Sequence, residues 1–306
     1  MINVFIDGNS GTTGLRIEER LSRRKDINIL KIDYDRRHSI EERKKLINES
    51  NVTFLCLENE LAVQSASVVE NPNTVVIDTS TAHRVNEKWS YGFPELSKEQ
   101  RNLIESSKKI ANVGCHAVGF ISIVAPLIKN GILKKDKGIF VHSITGYSGG
   151  GKKMIKEYEE NPPEYFKAPL QYGLNLNHKH LPEMKKYTGL EQELVFNPIL
   201  GNFYSGMAVS VPLLNKLGSK EYILEVLKEH YSQSKIITVE DEKAFENGKV
   251  NPLLMSNKDS MKIVVYGDEN IEVVSVFDNL GKGASGSAIQ NMNIALGLEE
   301  TLGLSL

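Results

Sequence analysis

Cysteine is scarce in this chain: Cys56 and Cys115 are its only two in 306 residues. Two thiols cannot build a disulfide-stapled scaffold, and a reducing compartment would keep both free. Metal-ligand spacing is absent too. The nearest candidate, His178-Lys179-His180, has no third ligand close by in sequence, so no metal site is expected. Charge of one sign is lacking as well: 37 basic and 39 acidic residues leave a net charge of −2. No global field would draw in nucleic acid or an anionic membrane. No apolar run approaches the roughly 20 residues of a membrane span. The opening MINVFIDGNSG has no basic segment of the kind that starts a secretion signal. Internal repeats and low-complexity tracts are missing. The expectation is a cytoplasmic protein with neither a nucleic-acid nor a membrane partner.

What is present is an alternating pattern. A length of 306 residues suits two domains of about 150 residues each. INVFID (2–7), INILKIDYD (27–35), VTFLCLEN (52–59) and TVVIDTS (74–80) read as strands. Helical stretches over 15–21, IEERKKLINES and ELAVQSASVVE separate them. Strand and helix in strict alternation predict a doubly wound parallel sheet. The texture changes after about residue 145. GYSGGGKK reads as a flexible glycine cluster, and the stretch from 161 to 176, opening NPPEYFKAPLQYG, as an irregular loop. LVFNPIL, MAVSVPLL, KIITVE, MKIVVYG and IEVVSVFD then read as strands, with YILEVLKEHY as a helix among them. That suits a mixed sheet. GASGSAIQNMNIALGLEE reads as a closing helix. The fold class expected is α/β: a Rossmann-type doubly wound parallel sheet plus an α+β domain with a mixed sheet. The first domain should span 1–114, completed by the C-terminal helix 284–306. The second, carrying the catalytic and oligomerisation surfaces, should span 115–283.

Two places carry chemistry. Gly8, Gly11 and Gly14 follow the first strand and open a helix. Small residues let a backbone approach a pyrophosphate there, and the helix N-terminus offers free N–H groups and a positive dipole. Ser10, Thr12 and Thr13 add hydroxyls. The second strand region ends Asp33-Tyr34-Asp35-Arg36-Arg37. An acid there suits a ribose 2′-hydroxyl and an arginine a 2′-phosphate; Arg36 and Arg37 favour NADP. The second place is ANVGCHAVGFISIVAPLIKNG. Val118, Ile121, Val124 and Ile128 recur at helical spacing, so Cys115 falls at a helix N-terminus, which favours its thiolate. The same N–H groups could hold an oxyanion. Pro126 interrupts the helix pattern and predicts a kink. Cys56, inside an apolar strand, reads as inert core. His178 and His180 could exchange protons with the thiol.

GNSGTTG, STAHR, YGFPEL, NVGCH, TGYSGGGKK, HKHLPEM, GNFYSGM and DNLGKGASGSAIQNMN occur in this order. Together they resemble the N-acetyl-gamma-glutamyl-phosphate reductases, in their shorter subclass, from Asn3 to Leu298. The resemblance implies NADPH-dependent reduction of an acyl phosphate, N-acetyl-L-glutamyl 5-phosphate, in arginine biosynthesis. It implies Cys115 as the nucleophile that carries the acyl group, His178 as acid and base, and His180 as a substrate contact. Arg84, Ser148 and Lys152 would also face substrate. Asn279, Lys282 and Gly283 would lie along the cofactor, and the assembly would be a homodimer or homotetramer. One departure stands out. The family usually has Asn-Pro-Gly-Cys-Tyr where this chain has Asn112-Val113-Gly114-Cys115-His116. Val113 lacks the fixed φ of proline, and His116 adds a titratable ring. Two other readings remain: an aspartate-semialdehyde-type phosphorylating dehydrogenase, which the HKHLPE and YGFPEL motifs oppose, and a catalytically dead NADP-binding regulator.

Overall fold

The computed structural model describes residues 1–213 and 217–306. The chain divides into two compact units: 1–114 with 284–304, and 115–283 with 305–306.

The first unit opens with β1 (Ile2–Asp7), α1 (Thr12–Leu21) and β2 (Ile27–Leu30). There follow α2 (Ile40–Glu49), β3 (Val52–Leu55), α3 (Asn59–Ser67), β4 (Val75–Asp78), β5 (Ser90–Gly92), α4 (Lys98–Ser106) and β6 (Lys109–Asn112). The six strands form one sheet in the order β2-β1-β3-β4-β6-β5, and every pairing in it is parallel. Successive strand residues point to opposite faces, which explains why these apolar runs are nearly continuous. Val4, Ile6, Phe54, Ile77 and Ile110 pack with Ile17 and Leu21 of α1. On alternate positions, Phe5 packs with Leu46 and Ile47 of α2, and Leu55, Val76 and Ala111 with Ala62 of α3. Helices therefore cover both faces, as a doubly wound sheet requires.

The second unit begins with α5 (Cys115–Lys129), β7 (Ile139–Gly146), α6 (Gly151–Glu159) and β8 (Leu170–Gln171). It continues through α7 (Leu181–Thr188), β9 (Leu194–Gly201), β10 (Met207–Leu213), α8 (Lys220–His230), β11 (Ile237–Asp241), β12 (Met261–Gly267) and β13 (Ile271–Phe277). Its sheet runs β11-β12-β13-β10-β7-β9-β8. Pairs β11–β12 and β7–β9 are parallel, and the other four are antiparallel. The expected mixed sheet is present. α9 (Gly286–Ala295) returns to the first unit, where Ala288, Ile289 and Met292 join the core of β1, β3 and β4.

Several local expectations need correction. The second strand stops at Leu30, and Tyr34–Arg36 form a 3-10 turn instead. The glycine cluster is ordered, as a 3-10 turn over Tyr147–Gly150 that leads into α6. The closing helix is shorter than the periodicity suggests. Residues Gly281–Ser285 form a π turn before it, and Gly297 at φ +67° stops it. Helix α4 is not among the elements predicted from the sequence; its start is marked by Ser97, whose side chain accepts from the Gln100 N–H. Leu214, the last residue of the predicted strand MAVSVPLL, lies outside the described residues.

Pro126 sits inside a continuous α5. A proline has no N–H for the carbonyl four residues back, here that of Ser122. The Tyr231 hydroxyl donates to this carbonyl at 2.7 Å, so the orphaned acceptor is satisfied and the helix continues to Lys129. Among the described residues no helix is long and apolar enough to cross a membrane.

Candidate active site

In the first unit, the turn after β1 is shaped by glycine. Gly8 has φ +90°, and a Cβ there would collide with the backbone carbonyl of Cys56. A Cβ on Gly14 would lie 2.6 Å from the Gly8 carbonyl oxygen. Both glycines are needed by the chain itself. Gly11 differs: it has an extended φ of −74° as N-cap of α1, and a Cβ on it would meet only ordinary contacts. No side chain caps α1, and no acid stands in its first turn. The positive end of the helix is therefore uncompensated. The Thr12 Oγ1 is buried with no partner among the described residues. An uncapped helix start and an orphaned hydroxyl fit a dinucleotide pyrophosphate. Ser10 is exposed and Thr13 half-buried at the same turn.

The turn is held from behind by a buried ion pair that sequence reasoning missed. Asp7, the last residue of β1, accepts from Arg43 Nε at 3.0 Å and from the Ser65 hydroxyl at 2.6 Å. Both charged side chains are about 95% buried, with 4% and 5% exposure. A lone Asp before the glycines was the available signal. Arg36 and Arg37 lie on the 3-10 turn after β2. Arg37 stacks over Tyr34 at 3.6 Å and donates to its carbonyl. Arg36 is exposed, 3.6 Å from Glu42.

Arg84 is buried, and its guanidinium donates to the carbonyls of Asn112 at 2.9 Å and Thr79 at 3.1 Å. Asn112 is fixed in turn by its own amide to the Ala284 carbonyl and by the Asn291 amide. Arg84 thus organises the end of β6.

In the second unit, Cys115 is the first residue of α5, whose first turn holds no acid. The helix dipole and first-turn N–H groups favour a thiolate there. Gly283 packs against it, since a Cβ on Gly283 would lie 2.9 Å from the Cys115 Cβ. Lys282 beside it is fully buried. Asn279 ties two expected residues together: its amide donates to Ser148 Oγ at 3.1 Å, and its oxygen accepts the Gly206 N–H at 2.9 Å. Lys152 is exposed on α6.

His178 and His180 meet in a cluster of rings around His116. The His116 centroid lies 5.3 Å from that of His178 and 5.7 Å from that of His180, and the pair are 4.8 Å apart. Phe196 closes the cluster, 5.1 Å from both His116 and His178. The His180 backbone N–H donates to His178 Nδ1 at 3.2 Å. That leaves Nε2 as the nitrogen of His178 able to exchange a proton with another group. His180 is buried and caps α7, one turn before the fully buried Glu183. His116 is held well below the usual histidine range, first by burial and then by the electrostatic influence of neighbouring His178 and Lys179. It is a neutral ring at pH 7. Tyr172 and Ser143, which bond to it, were not singled out in the sequence. Tyr172 lies in the irregular loop just before the histidines, and its proximity to them in sequence was the available signal.

A doubly wound parallel sheet with a glycine turn at a helix start, and a second unit with a thiol at another helix start, fit the class of nicotinamide-dependent oxidoreductases. Residues 3–104 match the semialdehyde dehydrogenase NAD binding domain, and residues 115–279 the semialdehyde dehydrogenase dimerisation domain. An N-acetyl-gamma-glutamyl-phosphate reductase of Chelativorans sp. (strain BNC1) is 39% identical, covering 96% of this chain and 97% of that one. Its counterpart in Brucella ovis is 40% identical, covering 96% and 98%. The aspartate semialdehyde dehydrogenase II of Vibrio cholerae superposes with a TM-score of 0.72 at 17% identity, over 97% of this chain and 99% of that one. The Candida albicans aspartate semialdehyde dehydrogenase, solved with NADP, gives 0.69 at 15% identity, over 96% and 98%. At these identities the two structures show the fold alone. The chain belongs to the semialdehyde dehydrogenase family, among its N-acetyl-gamma-glutamyl-phosphate reductases.

Proposed function

We propose that this chain reduces N-acetyl-L-glutamyl 5-phosphate to N-acetyl-L-glutamate 5-semialdehyde, releasing phosphate, through a thioester on Cys115, as a step of arginine biosynthesis. One observation carries the reading: a cysteine at the first residue of α5, followed by a histidine whose ring meets those of His178 and His180. The curated relatives named for this reaction support the substrate.

The thiolate of Cys115 attacks the acyl carbon; the S–C bond forms, and the C–O bond to phosphate breaks. The N–H groups of the first turn of α5 stabilise negative charge on the carbonyl oxygen. His178 exchanges protons through Nε2, and His180 orients the substrate. Arg84, Ser148 and Lys152 are assigned to the substrate's anionic groups. NADPH, when bound, would supply the hydride; when the acyl group leaves as the aldehyde, the S–C bond breaks and the Cys115 thiolate is regenerated. Gly8, Gly11, Gly14, Ser10, Thr12 and Thr13 would hold its pyrophosphate, and Arg36 and Arg37 its 2′-phosphate. Asn279, Lys282 and Gly283 form the second-unit segment assigned to it. The protein works in the cytoplasm as a homodimer or homotetramer, a state in keeping with its match to a dimerisation domain.

The test is an NADPH oxidation assay with two acyl phosphates, N-acetylglutamyl 5-phosphate and aspartyl 4-phosphate. Turnover with the first alone is expected. Preferential turnover of the second would move the chain to the aspartate semialdehyde branch, and none with either would leave it a binding protein.

A further inference from the structure

His116 stands where the family usually has tyrosine, and its surroundings show what it does. The ring is about 98% buried, with 2% exposure. Its Nδ1 lies 2.8 Å from Ser143 Oγ and its Nε2 lies 2.8 Å from the Tyr172 hydroxyl. A neutral imidazole has one donor and one acceptor nitrogen, so the two hydroxyls must play opposite parts. Ser143 decides which. It is fully buried on β7, and His116 is the hydrogen-bond partner of its side chain among the described residues. If Ser143 accepted from the ring, its own buried proton would go unsatisfied, at a desolvation cost. Ser143 therefore donates to Nδ1. The ring proton is then on Nε2, donated to the Tyr172 oxygen, and the phenolic proton of Tyr172 is released for another acceptor.

Resting on the acyl-carrier reading above, we infer that Tyr172 is a hydrogen-bond donor to negative charge at Cys115, aimed by a relay that runs Ser143, His116, Tyr172. Burial and the neighbouring Cys115 charge both push the phenol ionisation up, which keeps it a donor. The backbone on which Tyr172 sits is anchored: β8 pairs Gln171 with Ile199, and the Tyr172 N–H donates to the Pro198 carbonyl at 3.0 Å. Titratable groups around the relay are few. His178, Lys179 and His180 face it from the segment before α7. Asp278 and Lys282 lie on the stretch whose Gly283 packs against Cys115. On this inference Tyr172 is the donor, and His116 and Ser143 are positioning residues that act through it.

The experiment is alkylation of Cys115 by iodoacetamide from pH 5 to 10, read as the rate of labelling against pH. Cys56 is silent over this range because burial holds its thiol near 12. Tyr172→Phe and His116→Leu should each raise the midpoint by about one unit, the size of a lost charge-assisted hydrogen bond. The double variant should shift no further than either single one, because both break the same chain. His116→Gln, which keeps an amide N–H donor near the Nε2 position, should stay close to the parent. An unshifted midpoint in Tyr172→Phe, or shifts that add in the double variant, would overturn the relay. Failure of the acyl-carrier reading shows separately: fully alkylated parent protein would then still oxidise NADPH with substrate.

Discussion

The chain has two free cysteines, and the difference between their settings teaches how position sets what a thiol can do. Cys56 follows β3, and its N–H donates to the Asp7 carbonyl at 2.8 Å. Its thiol is desolvated and faces the negative charges of Asp78 and Asp7, and burial foremost pushes it up to about 12. Cys115 opens a helix with no acid in its first turn, and neutral His116 follows it directly. One thiol is held protonated foremost by burial, and the other lies at the positive end of a helix. The same element, sulfur on a Cβ, is packed behind the glycine turn in one unit and stands at a helix start, where we propose a nucleophile, in the other.

Several measurements would break or sharpen that contrast. Cys115→Ser should cost at least about 10⁴-fold in turnover, since the soft nucleophile is lost, while NADPH binding persists. Cys56→Ser should keep activity within about twofold, the usual range of a substitution away from the chemistry. Labelling should separate the thiols almost as widely. Only thiolate reacts, and a thiol raised to about 12 stays protonated as pH climbs through 8. Native protein at pH 8 should take one equivalent of iodoacetamide, at Cys115, and denatured protein two. Mass spectrometry checks the count.

His178→Asn should lower kcat by about 10²- to 10⁴-fold, as expected for a lost proton carrier. His180→Asn should raise KM more than it lowers kcat, and steady-state kinetics with the reverse pattern would exchange their roles. Behind the glycine turn, Arg43→Met leaves Asp7 buried without its cation. That should cost about 3–5 kcal/mol in urea unfolding. Smallest is the pair beside the nucleotide turn. Arg36→Ala with Arg37→Ala should raise KM for NADPH about tenfold, the worth of one phosphate contact, and leave NADH unchanged.

Much of this was legible in the sequence, for particular physical reasons. Glycines at 8, 11 and 14 sit between an apolar run and a helix, a context in which the spacing has one mechanical meaning. Period-2 alternation had no need to appear in β1, β3 and β4, because both faces of that sheet are covered. Cys115 was legible because apolar spacing after it marked a helix start. The Asp7–Arg43–Ser65 cluster was not, because its members are 36 and 58 residues apart and meet only through the crossover of parallel strands. The same holds for Ser143 and Tyr172 with His116, 27 and 56 residues away. Pro126 looked like a kink for a related reason: the hydroxyl that satisfies the Ser122 carbonyl comes from Tyr231, 109 residues beyond Ser122.

The central claim is that Cys115, and not Cys56, carries the acyl group. Incubating the protein with N-acetylglutamyl 5-phosphate in the absence of NADPH, quenching in acid and mapping peptides by mass tests it directly. The account predicts stoichiometric phosphate release and one N-acetylglutamyl adduct on the peptide bearing Cys115. An adduct on Cys56, or substrate turnover in Cys115→Ser, would contradict it.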